Sequence, residues 1–122
     1  MIMNHRALLK NIPLFAGLSE EDLDELQAIG RVREYPRGDL LFSEGEEAEG
    51  FFIVVAGKVK VYKLSAAGTE RILHVIHPGG TFAEAAICGD GHYPADAEPL
   101  QKSNLLFLPK DQFLNLLMTN GR

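Results

Sequence analysis

Phe51-Phe52-Ile53-Val54-Val55-Ala56-Gly57-Lys58-Val59-Lys60-Val61-Tyr62 is the stretch that decides the fold. Its first half is apolar at every position, so a strand there shows apolar side chains to both faces and must be covered on both sides. Its second half alternates lysine and valine, the period-two pattern of a strand with one wet face. Val59 and Val61 are expected to face inward, with Lys58, Lys60 and Lys63 forming a solvated face. Gly57 separates the halves at a reversal where positive φ is easy only for glycine.

Working outward, the same grammar continues. Ser65-Ala66-Ala67-Gly68 reads as a hairpin loop into a strand over Arg71 to Ile76, which Pro78-Gly79-Gly80 ends. Ser103 to Leu108 is a final strand. On the other side, turns at Pro36-Arg37-Gly38-Asp39 and Ser43-Glu44-Gly45-Glu46 bracket a short strand, Leu40-Leu41-Phe42. Closely spaced strands with glycine turns predict a mainly β protein, an antiparallel β-roll of the double-stranded β-helix or jelly-roll type, over 32–108. Flanking α-helices complete it. Ser19 can cap a helix beginning with Glu20, Glu21 and Asp22, whose charges suit its positive end. Leu18 and Leu23 have staple spacing, Leu23, Leu26 and Ile29 form the apolar stripe, and Gly30 reads as the stop. A shorter helix is expected from Asn4 to Lys10, so the N-terminal helices cover 4–30, and a C-terminal helix covers 110–118 with Phe113, Leu116 and Leu117 on one face. The chain, 1–122, reads as a single domain.

At 122 residues this domain can bury a core without disulfides or a structural metal, and its lone cysteine, Cys88, cannot form an internal bridge. A reducing, cytoplasmic setting is therefore expected. No run approaches the ~18 apolar residues of a membrane span. The net charge of -5 disfavours a phosphate backbone as partner, so this segment alone is not expected to bind DNA.

Three motifs carry a family resemblance. The segment Gly38 to Glu46 resembles the turn-strand-turn opening of cyclic-nucleotide-binding domains in the Crp–Fnr regulator superfamily. Phe52 to Tyr62 is similar to that family's central strand, glycine and following strand. Gly79-Gly80-Thr81-Phe82-Ala83-Glu84-Ala85 resembles the start of its phosphate-binding cassette, here 79–97. The resemblance implies a sensor domain that binds a small-molecule effector and is not an enzyme. It also implies that DNA is reached only through a helix-turn-helix lying after a dimerisation helix beyond Arg122, in a homodimeric parent.

In that family the cassette glutamate, matched by Glu84, holds the ribose hydroxyl, and an arginine about ten residues later pairs with the phosphate. No lysine or arginine lies between Arg71 and Lys102, whereas Glu84, Asp90, Asp96 and Glu98 do. At an effective dielectric of 20, a phosphate ~4 Å from a missing arginine forfeits a gross attraction of roughly 4 kcal/mol. Cyclic AMP and cyclic GMP are accordingly disfavoured. Phe82 to Ala86 with Tyr93-Pro94-Ala95 is more similar to the denitrification regulators of this superfamily, for which the resemblance implies haem and nitric oxide.

The candidate ligand-binding residues are Gly80, Phe82, Ala83, Glu84, Ala85, Tyr93 and Ala95. His74, His77 and Cys88 are candidate haem ligands, with His92 and Tyr93 in a glycine-rich loop behind them. Each also has a plain structural role open to it: a turn or surface histidine, a buried small thiol, a carboxylate bonded to backbone. The rival reading is a cupin-like metal enzyme using His74, His77 and Glu84. Strand geometry argues against it, because residues three apart point to opposite faces. A cyclic-nucleotide site using another cation is a further alternative. Phe82 to Ile87 is expected to form a short helix hinged at glycines 79, 80, 89 and 91, the part free to move on binding.

Overall fold

The computed structural model describes residues 6–83, 86–87 and 89–120. In chain order the elements are α1 (Arg6–Lys10), a single 3-10 turn (Pro13–Phe15), α2 (Glu20–Ile29), β1 (Arg31–Tyr35), β2 (Gly50–Ala56), β3 (Val59–Leu64), β4 (Glu70–Ile76), β5 (Thr81–Phe82), β6 (Asp96–Pro99), β7 (Ser103–Pro109) and α3 (Lys110–Asn120). Two antiparallel sheets form the roll, one ordered β1-β7-β2-β5 and the other β4-β3-β6.

The all-apolar half of the central stretch is β2, and it is buried on both faces as its composition demands. Phe51 and Ile53 pair with Leu108 and Leu106 and face the helices. Phe15, Phe51 and Phe113 meet there, with Phe51 and Phe113 edge to face at 4.9 Å. Phe52 and Val54 pair with Phe107 and Leu105 and face the inside of the roll.

Helix α2 starts as its sequence prescribes. The Ser19 hydroxyl accepts from the Asp22 N–H at 3.1 Å, and the Asp22 carboxylate accepts from the Ser19 N–H, closing a reciprocal cap. Gly30 ends the helix as expected, but without a left-handed turn. Its backbone is extended, and a Cβ there would stand 2.6 Å from Leu106 Cδ1. The glycine is a close-approach point between α2 and β7. At Gly57 the expected reversal is real, with φ +99.

Three further expectations need correction. Leu40 to Phe42 is not a strand: it makes one bridge, Phe42 to Ala97, and Leu40 is exposed. Lys60 does not lie in solvent, since its side chain is only 14% exposed. Its ammonium pairs with Glu70, approaches Glu98 and lies 4.7 Å from the centre of the Tyr62 ring. Tyr62, two residues along β3, shares the face of Lys60, and its hydroxyl donates to Glu98 at 2.7 Å. Finally, Phe82 is not helical but pairs with Phe52 in the sheet; helix is present at Ala86 and Ile87, and Glu84, Ala85 and Cys88 lie outside the described residues.

Candidate functional site

Beside β5, between the two sheets, is a cavity of about 360 Å³. Register explains its walls. Val61 and His74 are direct cross-strand partners and so share a face, and Ile76, two residues beyond His74, joins them. Phe42 and Phe82 supply the aromatic side. Ala83, Ala86, Pro94 and Ala95 form the cassette side, and Thr81 with His74 are the polar members. The volume lies at the small end of the ~300–1,000 Å³ usual for small-molecule sites, and the mix of apolar walls with few polar groups is typical of them.

Among the described residues Ala83 alone combines a side chain with positive φ, at +73. That conformation costs roughly 1–2 kcal/mol for an L-residue. It turns the chain from β5 into the helical segment, with the Ala86 N–H donating to the Ala83 carbonyl at 3.1 Å. The strained residue is thus in the cavity wall.

Of the residues singled out in the sequence, Phe82, Ala83, Ala95 and His74 line this cavity. Gly80 does not: it is a turn residue bonded to the His77 carbonyl, and a Cβ there would meet Ile76 Cγ2 at 2.7 Å. His77 lies in that same turn rather than in the wall, and His92 is exposed beside Asp90. Tyr93 is neither a wall residue nor part of a loose loop. It is 6% exposed, its ring stacks on Phe42 at 3.8 Å, and its hydroxyl donates to the Gly50 carbonyl at 2.8 Å. The Glu49 N–H donates to the Tyr93 hydroxyl oxygen at 3.3 Å. Burial raises the Tyr93 phenol above its usual value.

The acids expected around a phosphate are engaged elsewhere. Asp96 accepts from the Glu44 N–H at 2.6 Å, Glu98 serves Tyr62 and Lys60, and Asp90 accepts from the His92 N–H. None of these three lines the cavity. The lack of a cation stands on its own: among the described residues the wall holds no lysine or arginine. Phe42, Val61, Ile76 and Pro94 escaped the sequence reading. Alternation with His74 could have identified Ile76, whereas Phe42 and Pro94 arrive through loops that carry no period.

For haem, the group the resemblance implies, the donor set fits: one imidazole, His74, within apolar walls. His74 would hold the iron, and Phe42 and Phe82 would contribute apolar wall. Bound iron would supply an open coordination position for a small gas. No group of three or more His, Cys, Asp or Glu suited to a bare metal occurs among the described residues.

A loop of aromatic contacts closes the cavity on its inner side. Phe52 stacks on Phe82 at 5.1 Å, Phe42 lies 6.0 Å from Phe52 and 6.2 Å from Phe82, and Phe107 lies 5.1 Å from Phe52.

Comparison with known proteins agrees with this architecture. Residues 32–120 match the family model for the cyclic nucleotide-binding domain. The chain is 31% identical over 109 residues to the cyclic AMP receptor protein of Thermus thermophilus, covering 89% of this chain and 50% of the relative. It is 30% identical over 93 residues to the fumarate and nitrate reduction regulatory protein of Salmonella typhimurium, covering 75% of this chain and 37% of that one. Among solved structures, the sensor domain of the transcriptional regulator DNR from Pseudomonas aeruginosa superposes with a TM-score of 0.88 at 35% identity, covering 95% of this chain and 78% of that one. The chain spans half or less of the length of the two curated relatives. No helix among the described residues is long and apolar enough to cross a membrane. From the two-sheet roll, the cassette cavity and these matches together, the chain belongs to the cyclic nucleotide-binding domain family, as a regulatory domain of Crp/Fnr type.

Proposed function

We infer that this domain senses a small effector other than a cyclic nucleotide, on behalf of a transcription regulator whose DNA-binding part is not in this chain. The observation that carries the reading is the cavity wall: apolar on nearly every side, with His74 and Thr81 as its polar members and no lysine or arginine among the described residues. A cyclic phosphate brought there would lose water without gaining a cation. An effector that is apolar over most of its surface, with one group able to meet an imidazole, matches the wall. Haem is the candidate of that description, with His74 as its protein ligand, and the parent would read its occupancy by nitric oxide. The domain itself performs no chemistry in this reading.

Adding haem to the protein and recording its absorption spectrum tests this. A Soret band that shifts in His74→Ala but not in His77→Ala supports haem at this cavity. Calorimetry with cyclic AMP should detect nothing tighter than high micromolar. A sub-micromolar affinity would overturn the reading. Affinity that vanished in His74→Ala would instead favour His74 as a replacement partner for the phosphate.

A further inference from the structure

The inner face of the four-stranded sheet does not end at the cassette cavity. Register sets Phe82, Phe52, Phe107 and Arg31 in one row across β5, β2, β7 and β1, so all four share a face. Two residues along β1, Arg33 lies on that face as well, followed by Tyr35. On the far side of Phe52 this face opens as a second cavity of about 360 Å³, bounded by Arg31, Arg33, Tyr35 and Phe107, with Glu49 at its edge. It runs into a neighbouring hollow of about 230 Å³ through the shared residues Leu41, Glu49, Phe52 and Phe107; Glu46 and Glu47 line the far end.

The cleft is therefore polarised. Two guanidiniums stand at one end, carboxylates at the other, and Phe52 and Phe107 form an aromatic floor between them. Among the described residues neither arginine is in an ion pair; Glu34, the residue after Arg33 in β1, is on the opposite face by alternation and pairs with Lys102 at 3.1 Å. Two strand spacings, ~10 Å, separate β1 from β2, enough for one aromatic ring with a substituent at each end. Planar guanidinium suits a carboxylate, with which it forms paired hydrogen bonds, and it also stacks on rings.

We propose that this cleft is a second ligand site, for a small aromatic zwitterion whose carboxylate meets Arg31 and Arg33 and whose protonated amine points toward Glu49. It is a separate space from the cassette cavity, and the proposal stands whichever ligand that cavity takes. Three probes test it by calorimetry and NMR: 4-(aminomethyl)benzoate, benzoate and benzylamine. The zwitterion should bind tightest, benzoate next and benzylamine least. Its amide and ring shifts should centre on residues 31–35 and Phe107. The R31Q/R33Q double variant should lose at least about tenfold in affinity for the zwitterion while melting as the parent does, both positions being exposed. Should that variant fold poorly, the single variants and the Arg31 and Arg33 Nε–H resonances of the unaltered protein provide the same readout. E49Q should bring the zwitterion close to benzoate. The proposal is overturned by no binding of the zwitterion below about 10 mM, by benzylamine binding as well as benzoate, by affinity indifferent to R31Q/R33Q, or by shifts confined to His74, Phe82 and Ala95.

Discussion

Tyr93 lies flat on Phe42, their ring centres 3.8 Å apart and their planes within 10° of parallel. This stack fastens the end of the cassette to the loop before β2. The hydroxyl beyond it reaches the Gly50 carbonyl and receives the Glu49 N–H. A residue that looked in sequence like part of a binding loop is a structural pin, and it fixes one side of the cavity without lining it.

Tyr93→Phe keeps the stack and removes both hydrogen bonds, the one to the Gly50 carbonyl being buried. A loss of about 1–2 kcal/mol is expected from urea unfolding. Tyr93→Ala, which also opens a void beside Phe42, should lose about 3–5 kcal/mol, as large-to-small aromatic substitutions in cores do. Equal, small losses in both would mean that the stack bears no load.

Alkaline pH should weaken the fold. Desolvation, then the hydrogen bond to Glu98 and the charges of Glu98, Asp96 and Glu70, hold the Tyr62 phenol far above its ordinary value of 10.0. Burial also raises Tyr93. Both groups keep their protons longer in the native than in the unfolded chain, so above pH 10 the unfolded state binds fewer protons and gains ground. Stability from this source is complete below about pH 10 and is lost progressively above it. A tyrosinate absorbance titration should show Tyr62 and Tyr93 ionising only together with unfolding, and Tyr62→Phe should flatten the alkaline decline.

Pro94 occupies the cavity wall ten residues after Glu84, the spacing at which the family's phosphate-binding arginine is expected. Pro94→Arg should therefore bring cyclic AMP affinity up by roughly ten- to a hundredfold, a fraction of the ceiling set by an attraction of roughly 4 kcal/mol at ~4 Å. Calorimetry on the variant and the parent decides it. No gain would mean that the cavity excludes the nucleotide by shape as well as by charge.

Gly57→Ala combines two faults. The backbone has φ +99, and the new Cβ would stand 2.6 Å from Ser103 Cβ and 2.8 Å from Ser103 Cα. Ser103 is fixed there because its hydroxyl accepts from the Lys58 N–H at 3.1 Å and donates to the Gln101 carbonyl at 2.8 Å. A destabilisation of at least about 2 kcal/mol is expected in thermal or urea unfolding. Gly38→Ala, with positive φ but nothing within 4 Å, should cost less, which separates strain from collision.

Local rules carried the reading of the fold a long way. The unbroken apolar run of β2, the hairpin at 65–68 and the capped start of α2 each express a preference that the tertiary structure shares. Where the reading failed, a distant partner decided the outcome. Lys60 looked solvated by alternation, yet Glu70 and Glu98 from the strands on either side draw its ammonium in. Phe82 looked helical beside its alanines, but pairing with Phe52, thirty residues earlier in the chain, holds it in a strand. The site follows the same division. His74 was visible as a candidate, whereas its selection over His77 rests on the Val61 register, which no local pattern encodes.

Phe42 lines both the cassette cavity and the hollow that continues the arginine cleft, so between these two spaces the wall is one ring thick. Rings are incompressible at the density of a protein interior, so displacement toward one space is volume taken from the other. The two cavities cannot both enlarge at the expense of this wall. Occupants that push it in opposite directions compete without touching, and each weakens the other by the same factor. An occupant that leaves the rings where they stand is invisible from the far side. In this domain, the size of a molecule on one side of Phe42 sets the room available on the other.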